Sequence, residues 1–256
     1  MNEVLLLIAG LLGGAVNTLA GGGSFIVFPA LLAVGVPPVL ANTSNTYAAL
    51  PGYVSGAIGL WKDLMRYRDR LLPYGVISAI FGYAGAELLL HVSNAQFSVV
   101  VPWLMAFAVV LFIFGARINS FVASRTGASR GAKALGAALL LVVLAAIAFY
   151  GGFFNAGLGV LTLAFLALAG ISDIHAANGI KLYIATVIAV VAVVRFAIAD
   201  EIDWYHGTIA LVGVTIGAYV AARLAHRIPT RIIRAGVIVY GIGLTIYFFW
   251  KGYAGG

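Results

Sequence analysis

Long apolar stretches separated by short polar or glycine-rich joints run along the whole chain. Apolar positions do not alternate with polar ones, so the stretches read as helices and not as strands of a barrel. Eight candidates stand out: residues 39–61, 72–90, 97–116, 133–150, 152–169, 176–197, 205–223 and 231–250. The first thirty-odd residues are less regular. Residues 4–20 are apolar, Gly21-Gly22-Gly23-Ser24 interrupts them, and residues 25–34 form a short second piece before Gly35-Val36-Pro37-Pro38. At ~1.5 Å per residue that piece covers about half of a ~30 Å hydrocarbon core, so a broken or re-entrant hairpin fits better than two full spans. The other topology runs the same residues through as one broken helix, giving nine crossings.

Composition places these helices in a membrane. Of 256 residues, 63% are hydrophobic and 9% charged, with a mean hydropathy of +1.08; a soluble domain averages about 45–50% apolar and about 25% charged. Water-soluble enzymes, nucleic-acid binders and disordered chains are excluded. The expected class is an all-α polytopic membrane protein with roughly eight to ten segments. The absence of cysteine removes disulfides, thiolate metal sites and iron–sulfur clusters. His91, His175, His206 and His226 have no metal-ligand spacing, and neither metal nor cofactor is expected. Met1-Asn2-Glu3 lacks the basic region of a secretory signal, so the first helix reads as part of the mature structure.

Charge gives orientation. The net charge of +7 comes from short basic clusters between apolar runs, where a membrane protein carries them and not as a nucleic-acid surface. Lys62, Arg66, Arg68 and Arg70 fill one loop, Arg117, Arg125, Arg130 and Lys133 a second, and Arg227, Arg231 and Arg234 a third. The loops around residues 90–97 and 198–204 have no Lys or Arg, and the second holds Asp200, Glu201 and Asp203. If basic loops 62–71, 117–133 and 224–234 are all cytoplasmic, three spans after Gly35 start outside and three after Gly170 start inside. The halves then point opposite ways.

An internal repeat agrees. Asn17 with its glycines, Gly35, Ala41-Asn42 and Tyr47 recur as Asn155, Gly157 with Gly159, Gly170, Ala177-Asn178 and Tyr183; Gly75 and Gly85 correspond to Gly207 and Gly217. The offset drifts between 132 and 138 residues. The expected architecture is two inverted-topology repeats of about five helical elements each, a hairpin and three spans. Residues 1–116 form the first, 117–132 a basic cytoplasmic linker, and 133–256 the second. The hairpins, 4–34 and 133–169, enter from opposite faces. Gly/Ala-rich membrane helices that merely look alike are the plainer explanation.

The residues at these joints resemble a known family. Asn17-Thr-Leu-Ala-Gly-Gly-Gly-Ser-Phe, then Pro29-Ala-Leu-Leu, then Gly35-Val-Pro-Pro-Val-Leu-Ala-Asn-Thr is similar to the first-repeat signature of the TauE/SafE (sulfite exporter, TSUP) family. Ala176-Ala-Asn-Gly-Ile-Lys181 and Phe196-Ala-Ile-Ala-Asp-Glu-Ile-Asp203-Trp204 resemble its second signature. The match spans nearly the whole chain. It implies an inner-membrane carrier of small sulfur oxyanions or organosulfur anions such as sulfite, sulfoacetate, sulfolactate or taurine-related compounds. Two departures stand out: Ala189 replaces a polar residue, often Asn, eight positions after the second-repeat lysine, and Gly157-Leu-Gly159 lacks a triple glycine.

Candidate chemistry lies at the same joints. At membrane depth, Gly21, Gly22, Gly23 and Ser24 are costly unless their amides face water or a protein cavity. Ahead of a helix start they offer free N–H groups to an anion; a tight turn or close helix packing is the plainer use. Asn42, Thr43, Ser44, Asn45 and Thr46 open an apolar helix after Pro37-Pro38. An N-cap accounts for one or two, and a polar path lined by the run would account for all. Asn178 and Lys181 are the counterpart pair, spaced i, i+3 on one face. Lys181 is a substrate-site candidate as an intramembrane cation, or a lysine snorkelling to the cytoplasmic interface. Asn17 and Asn155 occupy matching places at the hairpin tips, with Gly157 beside the second. Tyr47 and Tyr183 are accessory candidates, although membrane tyrosines usually pack. Pro51 is expected to kink its helix. Arg195, near Asp200 and Glu201, reads as an interfacial anchor, and Glu87 as interfacially solvated, with a proton-coupling role the alternative.

These features lead to a secondary carrier for a small anion, working by alternating access and favoured as an exporter by family analogy. An anion channel with a glycine- and asparagine-lined filter is the second reading. An intramembrane enzyme built on Ser55, in Gly52-Tyr-Val-Ser-Gly56, lacks an activating His. The partners are the substrate anion, the bilayer, a coupling proton or ion and, through Gly213-xxx-Gly217 or Gly52-xxx-Gly56, a second copy of the chain, unless these pack within the monomer. Nucleic acid is not a partner.

Overall fold

The computed structural model describes residues 2–123, 130–171, 173–224 and 230–253. His226, Arg125 and Arg227 lie outside them, as do parts of the two later basic loops. Among the described residues every regular element is helical. The α-helices are α1 (Asn2–Ala20), α2 (Ser24–Ala33), α3 (Pro38–Gly59), α4 (Trp61–Leu64), α5 (Arg68–Leu90), α6 (Asn94–Ala123), α7 (Arg130–Phe153), α8 (Leu158–Leu168), α9 (Ile174–Ile198), α10 (Trp204–Leu224) and α11 (Thr230–Tyr253). A 3₁₀ turn, Met65–Tyr67, joins α4 to α5.

Local chemistry sets the boundaries. Pro38 opens α3, where its missing N–H costs nothing. Ser93 and Gln96 form a reciprocal capping box ahead of α6, each side-chain oxygen accepting from the other's amide. Asp173 accepts from the His175 and Ala176 amides at the start of α9, and Asp203 from the His206 amide at the start of α10. α3 continues as a helix through Pro51.

By length and composition three described segments suffice to cross a membrane: Asn2–Ala20, Trp61–Leu90 and Ile174–Ile198. Shorter apolar helices complete the bundle, including α2 and α8. Large apolar side chains such as Leu72, Trp103, Val194, Ile198 and Val239 point outward, as they would toward lipid, where the backbone bonds only within its own helix.

Glycines let the helices meet backbone to backbone. On α1, a Cβ at Gly14 would fall on the Val214 carbonyl of α10; in return, one at Gly217 would fall on the Leu11 carbonyl. α5 and α7 meet in the same manner, Gly85 against the Phe149 carbonyl and Gly152 against that of Gly82. This is the small-residue packing of membrane helices. Gly213 lies against Gly10, and Gly56 against Leu182, so both glycine pairs that suggested a dimer serve contacts within the chain.

α3 and α9 cross the centre in opposite directions. Leu60 and Leu64 lie against Gly179 at one end, and Ser44 accepts from the Asp203 amide near the other. α9 is pinned at both ends to the segment carrying α4 and α5. Near its start, Arg66 pairs with Asp173 at 3.2 Å; near its end, Arg195 pairs with Glu87 through two contacts of 2.5 and 3.1 Å. Arg195 and Glu87, read in the sequence as interfacial groups, thus meet as partners at one end of two packed helices although they are distant in the chain.

Both short helices fold back on the longer helix before them. Gly13 of α1 lies against Val27 and Gly23 at the start of α2, and Gly151 of α7 against Leu158 of α8. The first residues thus form a hairpin, not one broken crossing helix.

Candidate functional site

The hairpin turns are built on left-handed glycines. Gly21 has φ +78° and Gly157 φ +82°, a region that strains any residue bearing a Cβ. Gly21 returns its amide to the Val16 and Asn17 carbonyls, closing α1. The amides of Gly22 and Gly23 donate to no backbone carbonyl among the described residues, and neither do those of Ala156 and Gly157. Each tip therefore presents free donors at a helix start.

The tips converge. A Cβ at Gly159 would stand 3.6 Å from both the Gly21 carbonyl oxygen and the Lys181 Cδ. Between the tips lies a cavity of about 20 Å³ lined by Asn17, Gly21, Ser24, Tyr53, Asn155, Gly159 and Lys181, among others. A second cavity, of about 10 Å³, shares Asn17 and Ser24 and adds Gly13, Gly23 and Asn45. Their volumes suit a water or two.

The polar groups differ in how they are held. Asn155 is 4% exposed and accepts from the Tyr53 hydroxyl at 2.9 Å. The Lys181 ammonium donates to the Asn178 side-chain oxygen at 3.0 Å, while the Asn178 amide group donates to the Ile174 carbonyl. Asn178 thereby steadies the cation from the start of α9. Asn17, Ser24 and Asn45 have no side-chain hydrogen-bond partner among the described residues, although Ser24 and Asn45 are only 8% and 2% exposed. Buried polar groups are normally satisfied, and these three face a cavity.

The polar run opening α3 does not line one path. Successive residues turn by about 100° around a helix, which scatters the five around its circumference. Asn45 alone among them lines either cavity. Asn42 donates to the Phe153 carbonyl at the end of α7, Thr43 to the Leu40 carbonyl and Thr46 to the Asn42 carbonyl, while Ser44 accepts from Asp203. Gly22 is buried within its turn, and Gly157 backs onto Ala108 of α6. The two tyrosines also turn away. Tyr47 lies edge-on to Trp204 and within 3.4 Å of the Thr208 hydroxyl; Tyr183 donates to the Leu71 carbonyl.

Tyr53 was missed in the sequence. Its signal was present: Tyr53 follows Asn45 by the same eight positions that separate Ala189 from Lys181. The polar group absent from the second half at that position is present in the first. Outside the helices, the Ala176 and His175 amides, with Arg66 nearby, hold the Asp173 carboxyl below the usual carboxylate range. No group of His, Asp or Glu side chains among the described residues is arranged to hold a metal ion.

Sequence comparison gives this arrangement its family. The family model "Sulfite exporter TauE/SafE" matches residues 6–248. The chain belongs to the TauE/SafE sulfite exporter family. Among its relatives, the probable membrane transporter protein YfcA of Escherichia coli K12 is 25% identical over 92% of this chain and 85% of its own. A probable membrane transporter protein of Haemophilus influenzae is 27% identical over 94% of this chain and 92% of its own. The probable membrane transporter protein ORF9 of a Sinorhizobium species is 27% identical over 94% and 90%. No solved structure matches. A TauE/SafE protein is a membrane transporter, not an enzyme, and Ser55 accordingly does nothing catalytic: its hydroxyl is spent on the Gly52 carbonyl.

Proposed function

We propose that the chain is a secondary carrier of small sulfur-containing anions, such as sulfite or organosulfonates, working as an exporter across the inner membrane by alternating access. The observation that carries this reading is the meeting of two hairpin tips around free backbone amides, unpartnered Asn17, Ser24 and Asn45, and Lys181. Backbone and amide donors replace part of an anion's hydration shell, and Lys181 offsets its desolvation.

Residues 1–116 and 133–256 act as two inverted repeats joined by linker 117–132, with basic loops 62–71, 117–133 and 224–234 in the cytoplasm. Support comes from the opposed directions of α3 and α9 and from matched packing. Tyr47 lies against Gly207 of α10 just as Tyr183 lies against Gly75 of α5. Substrate entry requires the tips to part, because cavities of about 10 and 20 Å³ hold water and not an oxyanion. The same closure weighs against a static anion filter.

The test is sulfite and sulfonate counterflow in proteoliposomes. A carrier shows saturation and trans-stimulation; flux without either makes the protein a channel. Lys181→Ala should reduce flux strongly with folding preserved, and Gly22→Val should abolish it by blocking the tip. Unchanged transport in both variants removes the site from the mechanism.

A further inference from the structure

We propose that the chain carries a resident lipid, one phospholipid acyl chain lying in a crevice along the back of α2. The crevice is separate from the cavities at the hairpin tips and measures about 870 Å³. The inference stands on the placement of the chain in a membrane and not on which anion is carried.

The shape of the crevice follows from the helices that line it. α2 contributes Ile26, Ala30 and Ala33, α11 contributes Tyr240, Leu244 and Tyr247, and α1 the face between Leu5 and Leu12. Positions i, i+4 and i+7 share one face of a helix, so each helix presents a lengthwise stripe. The crevice therefore runs along the helix axes for roughly 10 Å, at about 1.5 Å per residue. The α2 stripe is small and continues into Gly35, where no atom stands within 4 Å of an added Cβ. Leu5, Leu12, Tyr240 and Tyr247 on the flanking helices are bulky and exposed. Small residues between bulky rims make a trough.

Its chemistry selects hydrocarbon. No Asp, Glu, Lys or Arg lines the crevice, and its Ser98 hydroxyl is spent on the Asn94 carbonyl at 2.8 Å. Two tyrosine hydroxyls are the other side-chain polar atoms. Water does not fill an apolar space, and a void forfeits packing. A helix from a second copy is disfavoured, because membrane helices approach closely where both faces are small. A flexible acyl chain passes between the bulky rims.

The leaflet follows from α3, which starts at Pro38 beside the crevice and ends at Gly59, next to basic residues 62–70. With that loop in the cytoplasm, as proposed above, the lipid belongs to the outer leaflet. It lies against the helix whose first residue, Ser24, lines both tip cavities.

The experiment uses the full-length chain in nanodiscs doped with phosphatidylglycerol or phosphatidylethanolamine carrying a photoreactive diazirine on one acyl chain. Adducts formed on illumination are mapped by peptide mass spectrometry. Labelling of residues 26–33 and 240–247 should exceed that of the exposed Leu88 and Val194 several-fold, with both headgroups alike. Ala33→Trp, which fills the trough, should remove the excess and leave Leu88 and Val194 unchanged. If that variant does not fold, the wild-type map decides. Labelling spread evenly over the outward-facing helices means passing bulk lipid only and overturns the proposal, as does labelling that depends on headgroup charge. Ala33→Cys, in a chain that has no other cysteine, carries a benzophenone to test the remaining occupant. Capture of phospholipid is expected, and capture of a second copy overturns the lipid assignment.

Discussion

The Tyr53 hydroxyl donates to the Asn155 side-chain oxygen at 2.9 Å, tying the middle of α3 to the tip of the second hairpin. Both residues are buried, Tyr53 at 7% exposure and Asn155 at 4%, so the bond fixes which way the Asn155 amide faces. Tyr53→Phe removes the donor while keeping the ring. The expected loss is about 1 kcal/mol of stability, with a several-fold rise in the half-saturation concentration for transport and little change in maximal rate. Thermal unfolding together with initial-rate counterflow checks this. A variant unchanged in both would reduce Tyr53 to packing.

The bidentate pair between Glu87 and Arg195 is a second long-range tie, half-shielded at side-chain exposures of 32% and 22%. His91 stands 3.8 Å from the same carboxylate. Breaking one partner leaves the other without its charge in a poorly solvated place. Glu87→Gln and Arg195→Gln should each lower the unfolding temperature, and the double variant should lose less than the two losses added together. The difference between that sum and the double variant's loss is the coupling between the two side chains. Strict additivity would make the pair incidental.

Most of the architecture was legible in the sequence because lipid leaves few choices: backbone groups must bond within a helix, so long apolar runs give helices directly. The first hairpin turn was legible for a similar reason, since Gly21 stands where the second piece is too short to span, whereas the second turn falls between Phe153 and Leu158, inside the stretch 152–169 that reads as one apolar helix. The expected repeat pointed to both joints and to Lys181 as site candidates. The run from Asn42 to Thr46 was harder. Sequence shows that five polar residues need partners, but which one faces the cavity depends on helix rotation and on the position of Phe153 and Asp203, which are remote in the chain. The Glu87–Arg195 contact was hidden for the same reason.

Close helix contacts supply a sharper test than propensity. Gly14 sits in α1, where an added Cβ would meet the Val214 carbonyl of α10 closer than van der Waals contact allows. Backbone cannot swing aside as a side chain does, so the helices must separate. Gly14→Ala should cost about 1–3 kcal/mol, and Gly14→Val should prevent recovery of folded protein. Gly59, near the end of α3 with nothing within 4 Å of a Cβ, is the control. Gly59→Ala should be neutral or slightly stabilising, since alanine is the better helix former by about 1 kcal/mol. Equal behaviour of the two alanine variants in thermal unfolding would mean that α1 and α10 are not in close contact.

Asp173 gives the chain an acid-sensitive joint at the face carrying residues 62–70. Its carboxylate accepts from the Ala176 and His175 amides and pairs with Arg66, and these interactions lower its pKa in the folded chain. A carboxyl titrating lower when folded stabilises the fold fully above its unfolded value of about 3.9, and the stabilisation fades as pH falls through the folded value. Asp173→Ala removes the cap and the pair together. The variant should unfold at a lower temperature than the wild type throughout neutral pH, with a constant gap between them. Below about pH 4 the gap should narrow, as the wild type gains the proton that silences the cap. Unfolding temperatures taken across that range check the sign. A gap that widens toward acid would mean that Asp173 is stabilised in its protonated form, contrary to the two amides donating to it.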